Sequence, residues 1–256
     1  MRVVFHEKFH DAAYSLDKYD NAAVPGRMAG IMDALRNDGH YVVESPGIAS
    51  RKDLLRGHSE AYVAMVEQNP ELFAMASQAV GAAMWASDIA IQGEAAFACL
   101  RPPGHHASRS SAWGHCTFSN VALALLRLRD ARQIHSALVV DFDQHTGDGT
   151  IDVLRSWPEA QVLNPYGDNA AEYLRNLEES LARAPQVDLL AVSAGFDGYI
   201  HDLGKKLSTE DFFSIGRLLQ GYAIRLGHQH RFAVFEGGYY LPDLGKNVLA
   251  FCRGFE

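Results

Sequence analysis

The chain has 256 residues, 48% of them hydrophobic and 21% charged, which is enough to build a large core. Its formal net charge of -8 argues against the basic surface that nucleic-acid binding requires. No apolar run is long enough to span a membrane, and the charged N-terminus lacks the apolar segment of a signal peptide. Three cysteines without a CxxC pair predict neither a disulfide framework nor a cysteine zinc site. These features predict a cytoplasmic protein of one domain, residues 1–256, that binds neither nucleic acid nor membrane.

Short apolar runs alternate along the chain with segments of helical periodicity. Strands are predicted at residues 2–5, 96–100, 136–142, 161–163, 187–193 and 232–235. Helices are predicted at residues 27–36, 61–67, 72–91, 120–130, 170–184, 209–226 and 243–251. Strands that alternate with helices pair in parallel through right-handed crossovers. The prediction is therefore an α/β fold with a parallel β-sheet flanked by helices on both faces, in three layers.

Four polar segments each follow one of these strands. They are RPPGHHA at residues 101–107, DFDQHTGDGT at 141–150, AGFDGYIHD at 194–202 and EGGYY at 236–240. Ligand sites in open α/β sheets collect beyond the carboxyl ends of the strands, where neighbouring loops converge. We therefore expect the four segments to build one site.

Asp143, His145 and Asp197 are the candidate metal ligands. Residues two apart in an extended segment point the same way, so Asp143 and His145 can share an ion with Asp197 from another strand end. Two carboxylates and one imidazole leave room for water and a substrate carbonyl, which is the catalytic rather than the structural zinc pattern. Alone, the D-x-H pair is more often a surface or capping pair, but the four loops together favour a metal site.

The adjacent histidines His105 and His106 have two interpretations. They lie either on a solvated loop or beside the metal as a general acid–base pair. The second interpretation needs a carboxylate behind each ring, and Asp141 and Asp148 flank the candidate ligand pair. Tyr239, which follows two glycines, is either a packing residue or a donor to a developing oxyanion.

At this point the motifs resemble those of the histone deacetylase and acetylpolyamine amidohydrolase family, which has the arginase-like fold. The resemblance rests on RPPGHHA, on the spaced G-x-C-x-F-x-N from Gly114 to Asn120, on D-x-D-x-H, on SAGFD and on EGGY, in that chain order. It covers the chain from about residue 96 to the C-terminus. Before that point, Pro25-x-Arg27 is similar to the family's P-x-R, and the segment 58–62 to its H-S-x-E-Y helix start.

The resemblance implies a role for each matching residue. Asp143, His145 and Asp197 would hold Zn²⁺, or Fe²⁺ in some members, and a K⁺ ion would lie near Asp141 and Asp143. His105 and His106 would flank the activated water, with His106 as general base and acid. Asp141 would orient His105, Asp148 would orient His106, and Tyr239 would polarise the acetyl carbonyl. The pocket residues so implied are Gly114, His115, Gly237 and Gly238, with Arg27 in an internal channel for released acetate.

Several departures from the family pattern concern the substrate pocket. His115 stands where the family usually carries an aromatic residue that forms one wall of a narrow acyl-lysine tunnel. The loop after residues 161–163 is short, so the opposite wall is missing, and the segment 67–77 is short as well. Thr146 replaces a histidine common beside the ligand histidine. We therefore predict an unusually open active site, which a neighbouring subunit of a homo-oligomer would be able to complete.

Three functions are compatible with these residues. The first is a zinc-dependent deacetylase acting on acetyl-lysine, an acetylpolyamine or a small acylated metabolite. The second is a metal-stabilised binding or regulatory protein of the same fold without efficient turnover. The third is a ureohydrolase, which needs the ligands of a second metal; Gly147 and Tyr199 occupy two of those positions, so this is the weakest of the three.

Overall fold

One seven-stranded sheet organises the computed structural model, which describes residues 1–10, 24 and 26–256. The strands are β1 (Arg2–Val4), β2 (Val42–Glu44), β3 (Ala96–Ala98), β4 (Ala137–Asp141), β5 (Ala160–Leu163), β6 (Leu189–Ala194) and β7 (Arg231–Phe235). They lie in the order β2-β1-β3-β7-β6-β4-β5, and every pair is parallel. Parallel neighbours require crossover connections, which the intervening helices supply. The predicted parallel sheet is confirmed.

The helices cover both faces of this sheet. They are α1 (Gly26–Asp38), α2 (Arg51–Leu54), α3 (Glu60–Glu67), α4 (Pro70–Ile91), α5 (Asn120–Asp130), α6 (Asp148–Leu154), α7 (Ala170–Arg183), α8 (Thr209–Arg225) and α9 (Leu241–Phe255), and a 3-10 helix spans Glu7–His10. Helices α1, α9, α8 and α7 pack against one another in one group, and α3, α4, α5 and α6 in another. The three-layer α/β/α prediction is confirmed. Within the described residues, no helix is both long and apolar enough to cross a membrane.

The degree of burial explains which strands could be predicted from apolar runs in the sequence. Every residue of β3, β4, β6 and β7 is buried, because these central strands have helices on both faces. The edge strand β2 was not predicted, since it has three residues and Val42 is 53% exposed. A short edge strand carries little of the apolar pattern that marks a buried one.

Local capping residues start the helices near the polar segments. Ser59 precedes α3 and its side chain accepts the Tyr62 backbone N–H, as expected for the H-S-x-E-Y start. Ser208 and Asp211 form a reciprocal capping box at the start of α8. Helix α6 begins at Asp148 inside the polar segment that follows β4, and it was not predicted. Its second residue, Gly149, is a poor helix former, so the pattern there resembles a loop.

A cluster of buried phenylalanines anchors two of the polar segments to the core. Phe142 lies between the two aspartates of D-x-D, and Phe196 precedes the aspartate of SAGFD. Their ring centroids are 5.6 Å apart, and Phe196 also lies 5.0 Å from Phe212 of α8. Since each ring is almost fully buried, the polar residue beside it is held at the sheet edge.

Candidate active site

The structure brings Asp143, His145 and Asp197 together at the carboxyl ends of β4 and β6. One donor atom from each lies within 4.8 Å of the other two. His145 Nδ1 is 3.2 Å from Asp143 Oδ1 and 3.1 Å from Asp197 Oδ2. Both aspartates are buried, whereas the His145 side chain is 42% exposed. The group therefore has two interior carboxylates and one imidazole facing outward.

The local geometry of the D-x-H pair differs from the extended segment that was expected. The strand ends at Asp141 and the chain bends through residues 143–145. The Asp143 carboxylate accepts the backbone N–H of His145 at 3.0 Å, which closes the bend. The two side chains meet because of this turn and not because of strand alternation.

The chemistry of these three residues fits a divalent cation. Asp197 Oδ2 is buried and, among the described residues, has no well-directed hydrogen-bond donor, although His145 Nδ1 lies 3.1 Å away. This oxygen is therefore an unsatisfied acceptor. Gly237 leaves the space clear, since a Cβ there would lie 2.5 Å from Asp143 Oδ2. Burial and the neighbouring Asp143 charge raise the pKa of Asp197. Two close buried carboxylates repel each other, and a cation between them would remove that cost.

A second group of potential ligands lies deeper, at His105, Cys116 and Glu236. Burial raises the pKa of the Cys116 thiol well above its usual range, so the sulfur stays protonated and is a poor ligand. One Glu236 oxygen already accepts the backbone N–H groups of Gly104 at 2.7 Å and His105 at 3.2 Å. Among the described residues, Asp143, His145 and Asp197 are therefore the better cation site.

Each of the paired histidines has its own carboxylate. His105 Nδ1 lies 3.2 Å from Asp141 Oδ2, and His106 Nδ1 lies 2.7 Å from Asp148 Oδ1. The two ring centroids are 3.9 Å apart. With Nδ1 occupied in both rings, Nε2 is the nitrogen left for chemistry.

The surroundings push the two imidazoles in opposite directions. Burial lowers the pKa of His105, but the charges of Asp141 and Asp143 outweigh burial and raise it well above its ordinary value. Burial, together with the adjacent His105 charge, lowers the pKa of His106. At neutral pH His106 is therefore the neutral ring, and its Nε2 is able to accept a proton.

Tyr239 is placed by backbone contacts on one side and by a buried arginine on the other. Asp202 Oδ2 accepts the backbone N–H groups of Tyr239 at 2.6 Å and Tyr240 at 2.7 Å. The Arg27 guanidinium lies 5.4 Å from the centroid of the Tyr239 ring. Burial raises the pKa of Tyr239, so its hydroxyl stays protonated and is a hydrogen-bond donor.

A cavity of about 430 Å³ gives access to this site. Its lining comprises Pro103, His105, His106, Trp113, Gly114, His115, His145, Leu203, Gly237 and Tyr239. Arg27 and Gly238, two expected pocket residues, are not part of this lining. Arg27 is buried and donates to the backbone oxygens of Gly238 at 3.0 Å and Glu236 at 2.7 Å. Arg27 and Gly238 therefore lie behind the residues that line the cavity. Pro25 of the P-x-R motif lies outside the described residues.

Two apolar side chains border the mouth of the cavity. Trp113, 54% exposed, lies beside His106, and Leu203, 60% exposed, comes from the loop after β6. Residues 164–168, after β5, instead line a neighbouring cavity behind Gln144. An aromatic wall is thus present, but it comes from position 113 and not from position 115.

Comparison with known proteins shows similarity to histone deacetylases. A histone deacetylase domain matches residues 67–174, which include the paired histidines and two of the candidate metal ligands. A probable deacetylase of Methanothermobacter thermautotrophicus is 28% identical over 96% of this chain and 89% of its own length. The chain is therefore similar to the histone deacetylase family. These similarities support a deacetylase function and hydrolase activity.

Other relatives extend this result. Polyamine deacetylase HDAC10 of Mus musculus is 30% identical over 88% of this chain, but the chain spans only 43% of the mouse protein. The HDA15 HD domain superimposes with a TM-score of 0.85 over 100% of this chain and 90% of that one, at 20% identity. The fold is therefore the arginase-like fold of the deacetylase family, as the motifs implied.

The sequence motifs did not assign a role to two residues of this candidate site, Trp113 and Glu236. Trp113 immediately precedes the G-x-C motif. A large aromatic residue beside that glycine was the one sequence feature that could have indicated its place at the site. Glu236 is the first residue of the EGGY motif, but the sequence does not indicate that this glutamate is buried. Within the described part of the chain, its second carboxylate oxygen has no hydrogen-bond partner. Burial raises the pKa of Glu236 to about 7.

The ureohydrolase alternative finds no support in this geometry. The Tyr199 hydroxyl donates to Asp243 at 2.7 Å and so faces away from the candidate metal group. A Cβ at Gly147 would lie 2.0 Å from Asp141 Oδ2, so no ligand side chain fits there without displacing Asp141. Neither position 147 nor position 199 therefore supplies a ligand for a second metal.

Proposed function

We propose that this protein is a metal-dependent amidohydrolase that removes an acetyl or other acyl group from an acylated amine. The observation that carries the proposal is that Asp143, His145 and Asp197 meet in one group. His145 of this group lines the same cavity as His105, His106 and Tyr239. The proposed ion is Zn²⁺, with Fe²⁺ as the alternative, held by those three residues. A K⁺ ion near Asp141 and Asp143 stays a prediction, as do a homo-oligomer and a cytoplasmic location.

The residues around the cavity support a general acid–base hydrolysis. A divalent cation, when bound, would polarise the amide carbonyl and lower the pKa of water. His106 Nε2 would accept the proton of the attacking water and pass it to the departing amine. His105, held by Asp141, would remain protonated and stabilise negative charge. The Tyr239 hydroxyl would donate to the carbonyl oxygen as charge develops on it.

The net charge of the chain and the volume of the cavity support this substrate class. The net charge of -8 favours the approach of a cationic amine. The cavity of about 430 Å³ has room for a slender acylated chain, whose amide would lie at the inner end. Acetyl-lysine, an acetylpolyamine and a small acylated metabolite all meet these conditions. The similarity to polyamine deacetylase HDAC10 makes an acetylpolyamine the first substrate to test.

The test is metal depletion and restoration with a matched pair of variants. Chelator treatment is expected to abolish acetate release from an acetylated polyamine, and added Zn²⁺ to restore it. Asp143→Asn is expected to abolish both zinc binding and hydrolysis. Asp168→Asn, at an exposed carboxylate of the neighbouring cavity, is the control and should behave like wild type. Zinc binding without hydrolysis of any acylated amine would favour the binding-protein alternative.

A further inference from the structure

Trp113 makes two contacts with one of the two histidine–aspartate pairs. Its indole Nε1–H donates to Asp148 Oδ2 at 2.9 Å, while Asp148 Oδ1 lies 2.7 Å from His106 Nδ1. Its ring also stacks on His106, with centroids 3.6 Å apart and planes inclined by 25°. Tryptophan, aspartate and histidine thus form a closed triangle in which each residue touches the other two.

The two histidine–aspartate pairs differ in how their carboxylates are held. The Asp141 side chain is fully buried, so packing fixes its orientation. The Asp148 side chain is 51% exposed at the beginning of α6, where water competes for its oxygens. The indole N–H occupies Asp148 Oδ2 and leaves Oδ1 for His106. A hydrogen bond from a rigid ring therefore replaces the packing that Asp148 lacks.

The backbone after Trp113 has the conformation needed to bring the indole over His106. Gly114 has φ 59° and His115 has φ 67°, so two successive residues are left-handed. A Cβ at Gly114 would lie 2.7 Å from His106 Cδ2, so only glycine allows this approach. A left-handed histidine is uncommon and persists where its surroundings hold it. This turn brings Trp113 into contact with His106.

We propose that Trp113 is a positioning residue that fixes the Asp148 carboxylate and, through it, the Nδ1–H tautomer and orientation of His106. The inference rests on the proposed function, in which His106 Nε2 moves the proton. The contacts on which it depends stand without any bound ion. Trp113 also lines the cavity, so the test must separate positioning from substrate contact.

The kinetic test compares two tryptophan-to-phenylalanine variants. Trp113→Phe keeps a ring for stacking but loses the indole donor. Trp85→Phe is the matched control, because Trp85 Nε1 donates to the Glu44 carboxylate at 2.7 Å, with Trp85 on α4 and Glu44 on β2. With zinc and a small acetylated amine, Trp113→Phe is expected to lower kcat about tenfold at nearly constant KM, and Trp85→Phe to change neither. A Trp113→Phe kcat within about twofold of wild type, or a change in KM alone, would overturn the proposal.

A second readout does not depend on turnover. Nitrogen-15 NMR of the imidazole rings at about pH 8, above the ordinary histidine pKa, reports which nitrogen of His106 carries the proton. Wild type and Trp85→Phe are expected to show the Nδ1–H tautomer alone, and Trp113→Phe a mixture of both. A single unchanged tautomer in Trp113→Phe would also overturn the proposal. If the wild-type protein hydrolyses no acylated amine, the proposed function is wrong. The NMR measurement of the His106 tautomer would still test the positioning role of Trp113.

Discussion

His145 Nδ1 lies 3.1 Å from Asp197 Oδ2, so the nitrogen that would bind a cation faces a carboxylate contributed by the neighbouring strand. Contacts with Asp143 and Asp197 raise the pKa of His145 to about 10. The ring is therefore protonated at neutral pH, and a metal must displace that proton. Zinc binding is expected to release about one proton at pH 7 and to tighten as pH rises toward the His145 pKa.

Calorimetry in buffers of different ionisation enthalpy measures this proton release. Thr146→Ala, which changes the exposed neighbour of His145, is the control and should leave proton release unchanged. Zinc affinity that is independent of pH between about 6 and 9 would contradict the assignment of His145 as a ligand.

The Tyr239 hydroxyl is expected to act only in the transition state. Because burial keeps the phenol protonated, Tyr239→Phe removes a hydrogen-bond donor without changing charge. We expect kcat to fall about 10²- to 10³-fold with little change in KM. Tyr240→Phe, at the next residue, is the control and should retain nearly full activity. Equal losses in both variants would point to a structural effect of the EGGYY segment.

Position 115 is expected to control substrate width. His115 lines the cavity, and its ring centroid lies 6.3 Å from that of Tyr239. His115→Phe restores the aromatic residue usual at this place and narrows the mouth. The ratio of kcat/KM for a slender acetylpolyamine to that for a bulky acyl-lysine peptide should rise about tenfold. An unchanged ratio would show that His115 does not set the width. A wild-type preference for slender substrates would argue against an open mouth.

The buried His58 is expected to make stability depend on pH. Its Nδ1 contacts the Ser108 carbonyl at 2.9 Å and its Nε2 accepts the Ser119 N–H at 3.0 Å, so the folded ring is neutral. Burial lowers the pKa of His58 to about 4, below the value of about 6.5 for an unfolded histidine. The unfolded chain therefore binds a proton first, and the free energy of unfolding falls as pH drops from about 6.5 to 4, by up to about 3 kcal/mol.

Denaturant unfolding at several pH values measures this effect. His58→Gln cannot take up the proton, so it should lose that part of the pH dependence while being less stable at neutral pH by about 1–3 kcal/mol. His135→Gln, at an exposed histidine, is the control and should keep the wild-type slope. The same slope in His58→Gln as in wild type would exclude His58 as its source.

The predicted elements were most accurate where apolar residues are buried from both sides. Strands β4 and β6 lie within two residues of the predicted segments 136–142 and 187–193. Strand β2 and helix α6 were missed, because a three-residue edge strand and a helix with a glycine at its second position lack a periodic apolar pattern. Strand β2 and helix α6 are stabilised by tertiary contacts, which a local sequence pattern does not indicate.

The residue types of the site were predictable, but some of the geometry was not. The family resemblance implied which carboxylate lies behind each histidine, and the structure has His105 beside Asp141 and His106 beside Asp148. The turn at Asp143 replaces the extended pair, because its carboxylate caps a backbone N–H within the loop. The contact of Trp113 with Asp148 depends on left-handed backbone at the two residues that follow, which spacing in the sequence does not reveal.

The adjacency of β4 and β6 has a mechanical consequence. A cation shared by the loops after these strands would tie together two crossover units whose ends are otherwise held by backbone pairing and the phenylalanine cluster. The bound cation would act as a reversible cross-link between Asp143 and Asp197. The chain between these two residues, which includes β5 and α7, would then form a closed loop. Metal supply would then govern how long the folded protein survives as well as whether it turns over substrate.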